Sequence, residues 1–243
     1  SNNKYLVTNI HKDWLNQIIL ALKEDNKIVI ATNNKTEADS LYEMLSKLYV
    51  NKKISIYTSN TPDSIKKLHF SNVNKYWMVD ILIYSPCVSA GISFTEKHFD
   101  KIFMYMTDSS CDVESCRQMC ARVRNIESNL YYICFKSGGE SLLPTKVEDI
   151  KQLIKSRKSL DLFDIPSTNI EFQLTDSGQI EYYESPYFNL WINNISIVNL
   201  SKNNFIKRYL MQLFDSGATI SMLKTNSDSA IESVFKDVKN QII

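Results

Sequence analysis

Glycine is scarce in this chain. Its 243 residues hold five glycines (Gly91, Gly138, Gly139, Gly178 and Gly217), where the usual share of about 7% would give roughly three times as many. Their placement leaves no G-x-G-x-x-G and no G-x-x-x-x-G-K-[ST], which excludes a dinucleotide fingerprint and a Walker A phosphate loop within these residues. Histidine is scarcer still. His11, His69 and His98 form no H-E-x-x-H, so the common zinc-hydrolase motif is excluded. The five cysteines (Cys87, Cys111, Cys116, Cys120, Cys134) are odd in number and include no CxxC pair. They read as reduced thiols of an intracellular protein rather than as a disulfide framework. Cys116 and Cys120 share a helical spacing, but no histidine accompanies them, and core thiols are the expectation. Apolar runs fall well short of the ~20 residues that span a bilayer, so no membrane partner is expected. Excess charge is missing too. Lysine and arginine total 28 against 27 acidic residues, a net +1, which excludes a globally basic nucleic-acid coat but leaves room for a local patch. The chain opens Ser1-Asn2 without Met and is expected to be a piece of a longer polypeptide.

What is present is an alternation of helix and strand patterns. Residues 12–25 place Leu15, Ile18, Ile19 and Leu22 at the i, i+3, i+4, i+7 spacing of an amphipathic helix. Lys27–Thr32 (KIVIAT) is a short β-branched run that reads as a strand buried on both faces. A capping-box pattern at Thr36–Asp39 predicts the next helix, and Ile54–Ser59 (ISIYTS) predicts a second strand. Thr61-Pro62-Asp63 starts another helix, with Pro near its first turn. Met78–Tyr84, Lys101–Met106 and Asn129–Phe135 are three further strands, and a helix capped by Ser110 or Asp112 runs to about Arg122. Strands apolar on both faces, separated by helix-length connections, predict an α/β fold with a parallel sheet covered on both sides.

The character changes after Phe135. Residues 138–160 read as a linker followed by a basic helix. The stretch 160–184 holds six acidic residues and no Lys or Arg. Within it, Glu171–Thr175 and Gln179–Tyr183 flank Asp176-Ser177-Gly178, a hairpin signal. Residues 161–243 are expected to be an accessory region, an acidic hairpin followed by helices.

Two segments carry polar residues that a fold alone does not require. Ser85–Phe94 (SPCVSAGISF) follows the third strand, at the carboxyl end where ligands bind in open α/β sheets, and its small residues leave backbone N–H groups open to a phosphate. Taken alone it reads equally as an ordinary strand-to-helix connection. Gln118–Asn125 (QMCARVRN) places Gln118 and Arg122 at i, i+4 on a helix, with Arg124 at or beyond its end. Guanidinium groups there suit a polyphosphate, because Arg offers a planar bidentate fork. A solvated arginine pair is the plainer reading of that segment alone.

In this order, flanking the fourth strand, the segments resemble the second RecA-like motor domain of a superfamily 2 helicase. KIVIATNNKTEADSL looks like the motif that opens that domain, and ISIYTS resembles its next, DNA-facing strand. SPCVSAGISF is similar to motif V, with Ser85 for Thr and Ser93 for its terminal Asp. QMCARVR is similar to motif VI, with Ala121 for Gly and the second Arg two residues after the first. The S-x-G-x-S-F and Q-x3-R-V-R forms look closest to viral origin-of-replication binding helicases, herpes-type and large DNA virus relatives. The resemblance covers about Lys4 to Ser137, so residues 1–137 are expected to be the second RecA-like lobe.

The resemblance implies that ATP sits between this lobe and a first RecA-like lobe of the same polypeptide, which supplies the Walker A loop and the Mg²⁺ ligands. Arg122 and Arg124 are the arginine-finger candidates, and either can reach the γ-phosphate on this reading. Gln118, Gly91 and Ser93 would contact ATP. Thr32, Asn33, Thr58, Ser59, Ser85 and Ser89 would donate hydrogen bonds to phosphates of single-stranded or unwinding duplex DNA. Replication proteins are expected partners, at a viral replication site in host cytoplasm or nucleus. Two other classes stay open: an origin DNA-binding module, for which Lys202, Lys207 and Arg208 are the only basic cluster in the tail, and a docking module using the acidic hairpin.

Overall fold

The computed structural model describes residues 3–88, 91–137, 142–156, 172–175 and 180–223. The elements run β1 (Lys4–Thr8), α1 (His11–Lys23), β2 (Ile28–Thr32), α2 (Lys35–Leu48), β3 (Ile54–Tyr57), α3 (Asp63–Phe70), α4 (Val73–Tyr76), β4 (Ile81–Tyr84), β5 (Lys101–Thr107), α5 (Val113–Cys120) and β6 (Leu130–Lys136). They continue with α6 (Val147–Ser156), β7 (Phe172–Leu174), β8 (Ile180–Tyr182), α7 (Pro186–Asn203), α8 (Phe205–Asp215) and β9 (Thr219–Met222).

Seven strands form one sheet in the order β3-β4-β2-β5-β6-β1-β9, and each neighbouring pair is parallel. The central strands carry almost only apolar residues because neither face meets water. Every residue of β2 and β4 is buried, as parallel sheets covered by helices require. Alternate side chains go to opposite layers. Ile28, Ile30, Ile81, Ile83 and Phe103 pack with Trp14, Leu15 and Ile18 of α1 and with Leu41, Met44 and Leu45 of α2. On the other face the Tyr84 ring stacks on Trp77 at 5.6 Å, and its hydroxyl donates to the Met119 carbonyl of α5 (3.1 Å). The Tyr209 hydroxyl of α8 approaches Met104 Sδ (3.8 Å). The fold is the expected α/β class, a parallel sheet with helices on both faces.

Several local expectations are corrected. Helix α2 is capped by Asn34, whose Oδ1 accepts from the Glu37 N–H (3.0 Å), rather than by a box at Thr36. Asn34 has the extended backbone that an N-cap needs. Pro62, expected near the first turn of α3, is its N-cap. Residues 188–243 read as helical, yet Thr219–Met222 form β9, the edge strand beside β1, with Lys4 opposite Thr219. Gly217 makes that return possible. Its φ of +78° stops α8 in a left-handed turn, where the Ala218 N–H bonds back to Leu213 O (3.2 Å), a Schellman-type end.

Two compact units result, one comprising Ser1–Gly138 with Ile206–Ile243 and the other Gly139–Phe205. Residues 206–223, assigned from sequence to the accessory region, therefore complete the sheet unit. In the second unit β7 and β8 pair antiparallel on both sides of the sequence where a hairpin was expected, and its turn lies outside the described residues. Ile150 and Ile154 of α6, Ile180 of β8, and Phe188, Trp191 and Ile192 of α7 form its core. Among the described residues no helix is long and apolar enough to cross a membrane.

Candidate functional site

Thr32, Thr58 and Ser85 stand at the carboxyl ends of β2, β3 and β4, and the register of these neighbouring parallel strands puts the three ends on one edge. Most of the polar side chains expected to face outward there are turned inward. Thr32, Asn33, Thr58 and Ser85 are each at most 5% exposed. Thr32 Oγ1 accepts from the Asn34 N–H (3.0 Å), and Thr58 Oγ1 from the Asn60 N–H (3.3 Å). The Ser85 side chain hydrogen-bonds the Cys87 thiol. Ser59 is exposed. Ser89 lies outside the described residues.

Asn33 is the most committed of these. Its Nδ2 donates to Thr107 O (2.7 Å) and lies 3.2 Å from Cys116 Sγ, while its Oδ1 accepts from the Thr107 N–H (2.8 Å). It thus binds the end of β2 to the end of β5 and to α5. Asn33→Ala would strip both Thr107 backbone groups of partners in a buried place, and it is expected to destabilise the fold by about 2 kcal/mol or more. Ser59→Ala should stay within about 0.5 kcal/mol. Urea unfolding of the two variants checks the contrast.

Sequence reading missed Lys66. Its Nζ lies 3.5 Å from Ser59 O and 3.3 Å from Asp63 Oδ1, and its charge acts on the Cys87 thiol. The available signal was position: α3 starts just past the β3 turn, so a Lys one turn beyond Pro62 lies beside the same edge.

The second locus joins Ser85–Phe94 to Gln118–Asn125. Phe94 and Val123 form a parallel bridge, closed by Phe94 N–H to Arg122 O (2.8 Å) and Arg124 N–H to Phe94 O (3.0 Å). Arg124 Nε donates to Ser93 Oγ (2.6 Å). Phe94 is fully buried, with its ring 5.4 Å from Phe99 and 6.3 Å from Trp77. Gly91 carries a φ of +90° with open space around its Cβ position, so its backbone conformation rather than crowding favours glycine.

This bridge alters the expected placement of Arg122. Helix α5 ends at Cys120 with Ala121 as its C-cap, so Gln118 and Arg122 do not share a helix. Pairing with Phe94 diverts the chain before another turn can form. Gln118 is exposed on the last turn of α5. Arg122 is half-buried, and its Nε is buried with no hydrogen-bond partner. A buried guanidinium N–H left unpaired is costly, and such an orphan fits a site that receives an anion. The donor set therefore suits a phosphate. Arg117 was also missed. Its Nη1 donates to the backbone and side-chain oxygens of Gln212 (3.1 and 3.2 Å). It lines a cavity of about 300 Å³ with Tyr5, Arg124, Tyr131 and Tyr209. Burial pushes the Tyr5 hydroxyl up to about 12, with the neighbouring Tyr131 adding to the shift.

Comparison with known proteins places this geometry in a lineage. A protein of African swine fever virus (strain Badajoz 1971 Vero-adapted), named for a helicase/primase complex, is 36% identical over 245 residues, covering 99% of this chain and 23% of its own length. A protein of Acanthamoeba polyphaga mimivirus, named for replication-origin binding, is 33% identical over 135 residues, covering 54% of this chain and 16% of its own. Among solved structures, domain 2 of the DEAD-box helicase Mss116p bound to an RNA duplex overlaps 56% of this chain and 55% of that one at 10% identity, with a TM-score of 0.42. The chain thus spans less than a quarter of the viral relative that it matches end to end. The sequence model described as origin of replication binding protein matches residues 2–144, more than half of the chain, and the chain belongs to that family.

Proposed function

We propose that this chain is the second RecA-like lobe of an ATP-dependent DNA helicase that acts in viral DNA replication. On this reading residues 1–137 form the motor lobe and the region from 138 onward is accessory to it, with its tail returned to the sheet. The observation that carries the reading is the stitched pair of segments: Phe94 held between Arg122 and Arg124, Arg124 tied to Ser93, and the Arg122 Nε left without a partner. Mg²⁺ would be held by the first lobe and would supply charge neutralisation at the ATP phosphates. Arg122 reaches the γ-phosphoryl oxygens across the cleft and offsets the charge that gathers there. Arg124 holds Ser93 in place, Gly91 and Ser93 supply the loop next to the nucleotide, and Gln118 contacts it from α5. The carboxyl edge takes the single strand through Ser59 and backbone groups, with Thr32, Asn33, Thr58 and Ser85 shaping the loops from beneath. The names of the African swine fever virus and mimivirus relatives support replication proteins as partners, in the infected cell.

A second reading, an origin DNA-binding or docking module without motor activity, is favoured by the family's own description. DNA binding separates the two. An edge with buried hydroxyls and Lys66 as its added cation releases few counterions. The motor reading expects weak binding by the chain, independent of sequence and with a shallow salt dependence. An origin-reading module expects discrimination of about 10³ or more between cognate and random duplex. Fluorescence anisotropy with labelled single strands and origin duplexes at two salt concentrations decides, and strong duplex selectivity would displace the motor reading.

A further inference from the structure

Helix α5 begins over a pair of thiols that the function above does not use. Cys111 lies in the loop just before the N-cap Asp112, partly exposed, and Cys116 lies buried beneath the first turns of the helix. Their Sγ atoms are 3.3 Å apart, about 1.3 Å more than a disulfide bond. The other three cysteines are differently placed. Cys120 and Cys134 are buried, and burial pushes both thiols up to about 12. Cys87 is partly exposed, but burial raises its thiol as well.

We propose that Cys111 and Cys116 are an oxidation site, at which a hydroperoxide converts the two thiols to a disulfide. The Cys111 thiolate attacks the peroxide O–O bond. One oxygen becomes the Cys111 sulfenic acid, and the other leaves as water or an alcohol after taking a proton. Cys116 sulfur then attacks Cys111 sulfur, and the sulfenic hydroxyl leaves as water with the Cys116 proton. Two electrons pass from the two thiols to the peroxide. The first step is favoured because the hydrogen bond from Cys116 draws the Cys111 thiol down to about 7, against opposition from burial and from the Asp112 carboxylate. Asn33 Nδ2 beside Cys116 Sγ offers a donor to the second sulfur as it loses its proton. Closing the bond draws Cys116 off Asn33, the residue that ties β2 to β5.

Trypsin places both thiols on one peptide, residues 102–117, between Lys101 and Arg117. The folded full-length protein is treated with hydrogen peroxide, quenched, alkylated with N-ethylmaleimide in denaturant, digested and weighed. The expected peptide 102–117 carries no label on either cysteine and is lighter by about 2 Da than its reduced, unlabelled form. Cys87, Cys120 and Cys134 stay labelled, and dithiothreitol reverses the change. In Cys116→Ser, Cys111 should stop at a sulfenic acid that dimedone traps. Labelling of both Cys111 and Cys116 after peroxide, or oxidation of Cys87 as fast as Cys111, overturns the proposal. The wild-type readout needs no variant to fold.

Discussion

Arg122→Ala in the full-length polypeptide is expected to lower ATP turnover by about 10³-fold or more, with ATP affinity changed only a few-fold. An arginine finger is worth ~10³–10⁵ in rate because it meets charge that gathers on the γ-phosphoryl group in the transition state. Arg124→Ala should cost less. Its Nε is committed to Ser93, so its removal loosens the loop instead of removing the charge at the phosphate. A charge-assisted hydrogen bond of about 1.5–3 kcal/mol corresponds to about 10–100-fold in turnover. Arg122→Lys should not restore the rate, since an ammonium lacks the planar fork. Steady-state turnover and nucleotide-binding titrations on the three variants check this. The assay needs the whole protein, because these residues contain no Walker A loop. Near-wild-type turnover in both alanine variants would remove the motif VI assignment, and the larger loss at Arg124 would transfer the finger to it.

Phe94→Ala should be among the most destabilising single changes, at about 3–5 kcal/mol, with a drop in the denaturant midpoint and little change in slope. The ring is fully buried against Trp77 and Phe99, so its loss leaves a cavity that its close-packed neighbours fill only in part. The same residue makes both backbone hydrogen bonds of the bridge to Arg122 and Arg124. Those bonds use main-chain atoms and survive the substitution in principle, yet they lose the packing that holds the strand in place. Phe94→Leu keeps most of the buried volume and should cost less than about 1.5–2 kcal/mol. Equilibrium unfolding in urea of both variants tests the ordering. Equal losses for Leu and Ala would mean that the cavity is not the cause.

The five strands β2–β6 were legible because each is a short apolar run bounded by polar turns, and helix α1 because its apolar residues repeat at 3.6. Those signals are local: burial on both faces of a parallel sheet demands them within a handful of residues. The order Ser85–Phe94, then Gln118–Arg124, was readable through its resemblance to helicase motifs V and VI rather than through periodicity. Lys4–Thr8 and Thr219–Met222 carried no such signal. Lys4–Thr8 is a strand because it pairs with β6, and Thr219–Met222 because it pairs in turn with Lys4–Val7 at the sheet edge, and their partly exposed residues leave no unbroken apolar run. The functions of individual polar groups were likewise undecided by sequence. Asn33 looked like a surface donor and is a buried tie, because its partner Thr107 comes from a different strand. Arg122 and Arg124 looked equivalent. One is anchored and the other has an unpaired buried N–H because the chain leaves helix α5 before both and pairs with Phe94, about thirty residues earlier. Residue type and spacing thus determined the elements and the candidate list. Long-range pairing, which no window of sequence contains, decided which candidates face the solvent, which are committed inside, and which arginine keeps an unpaired Nε–H.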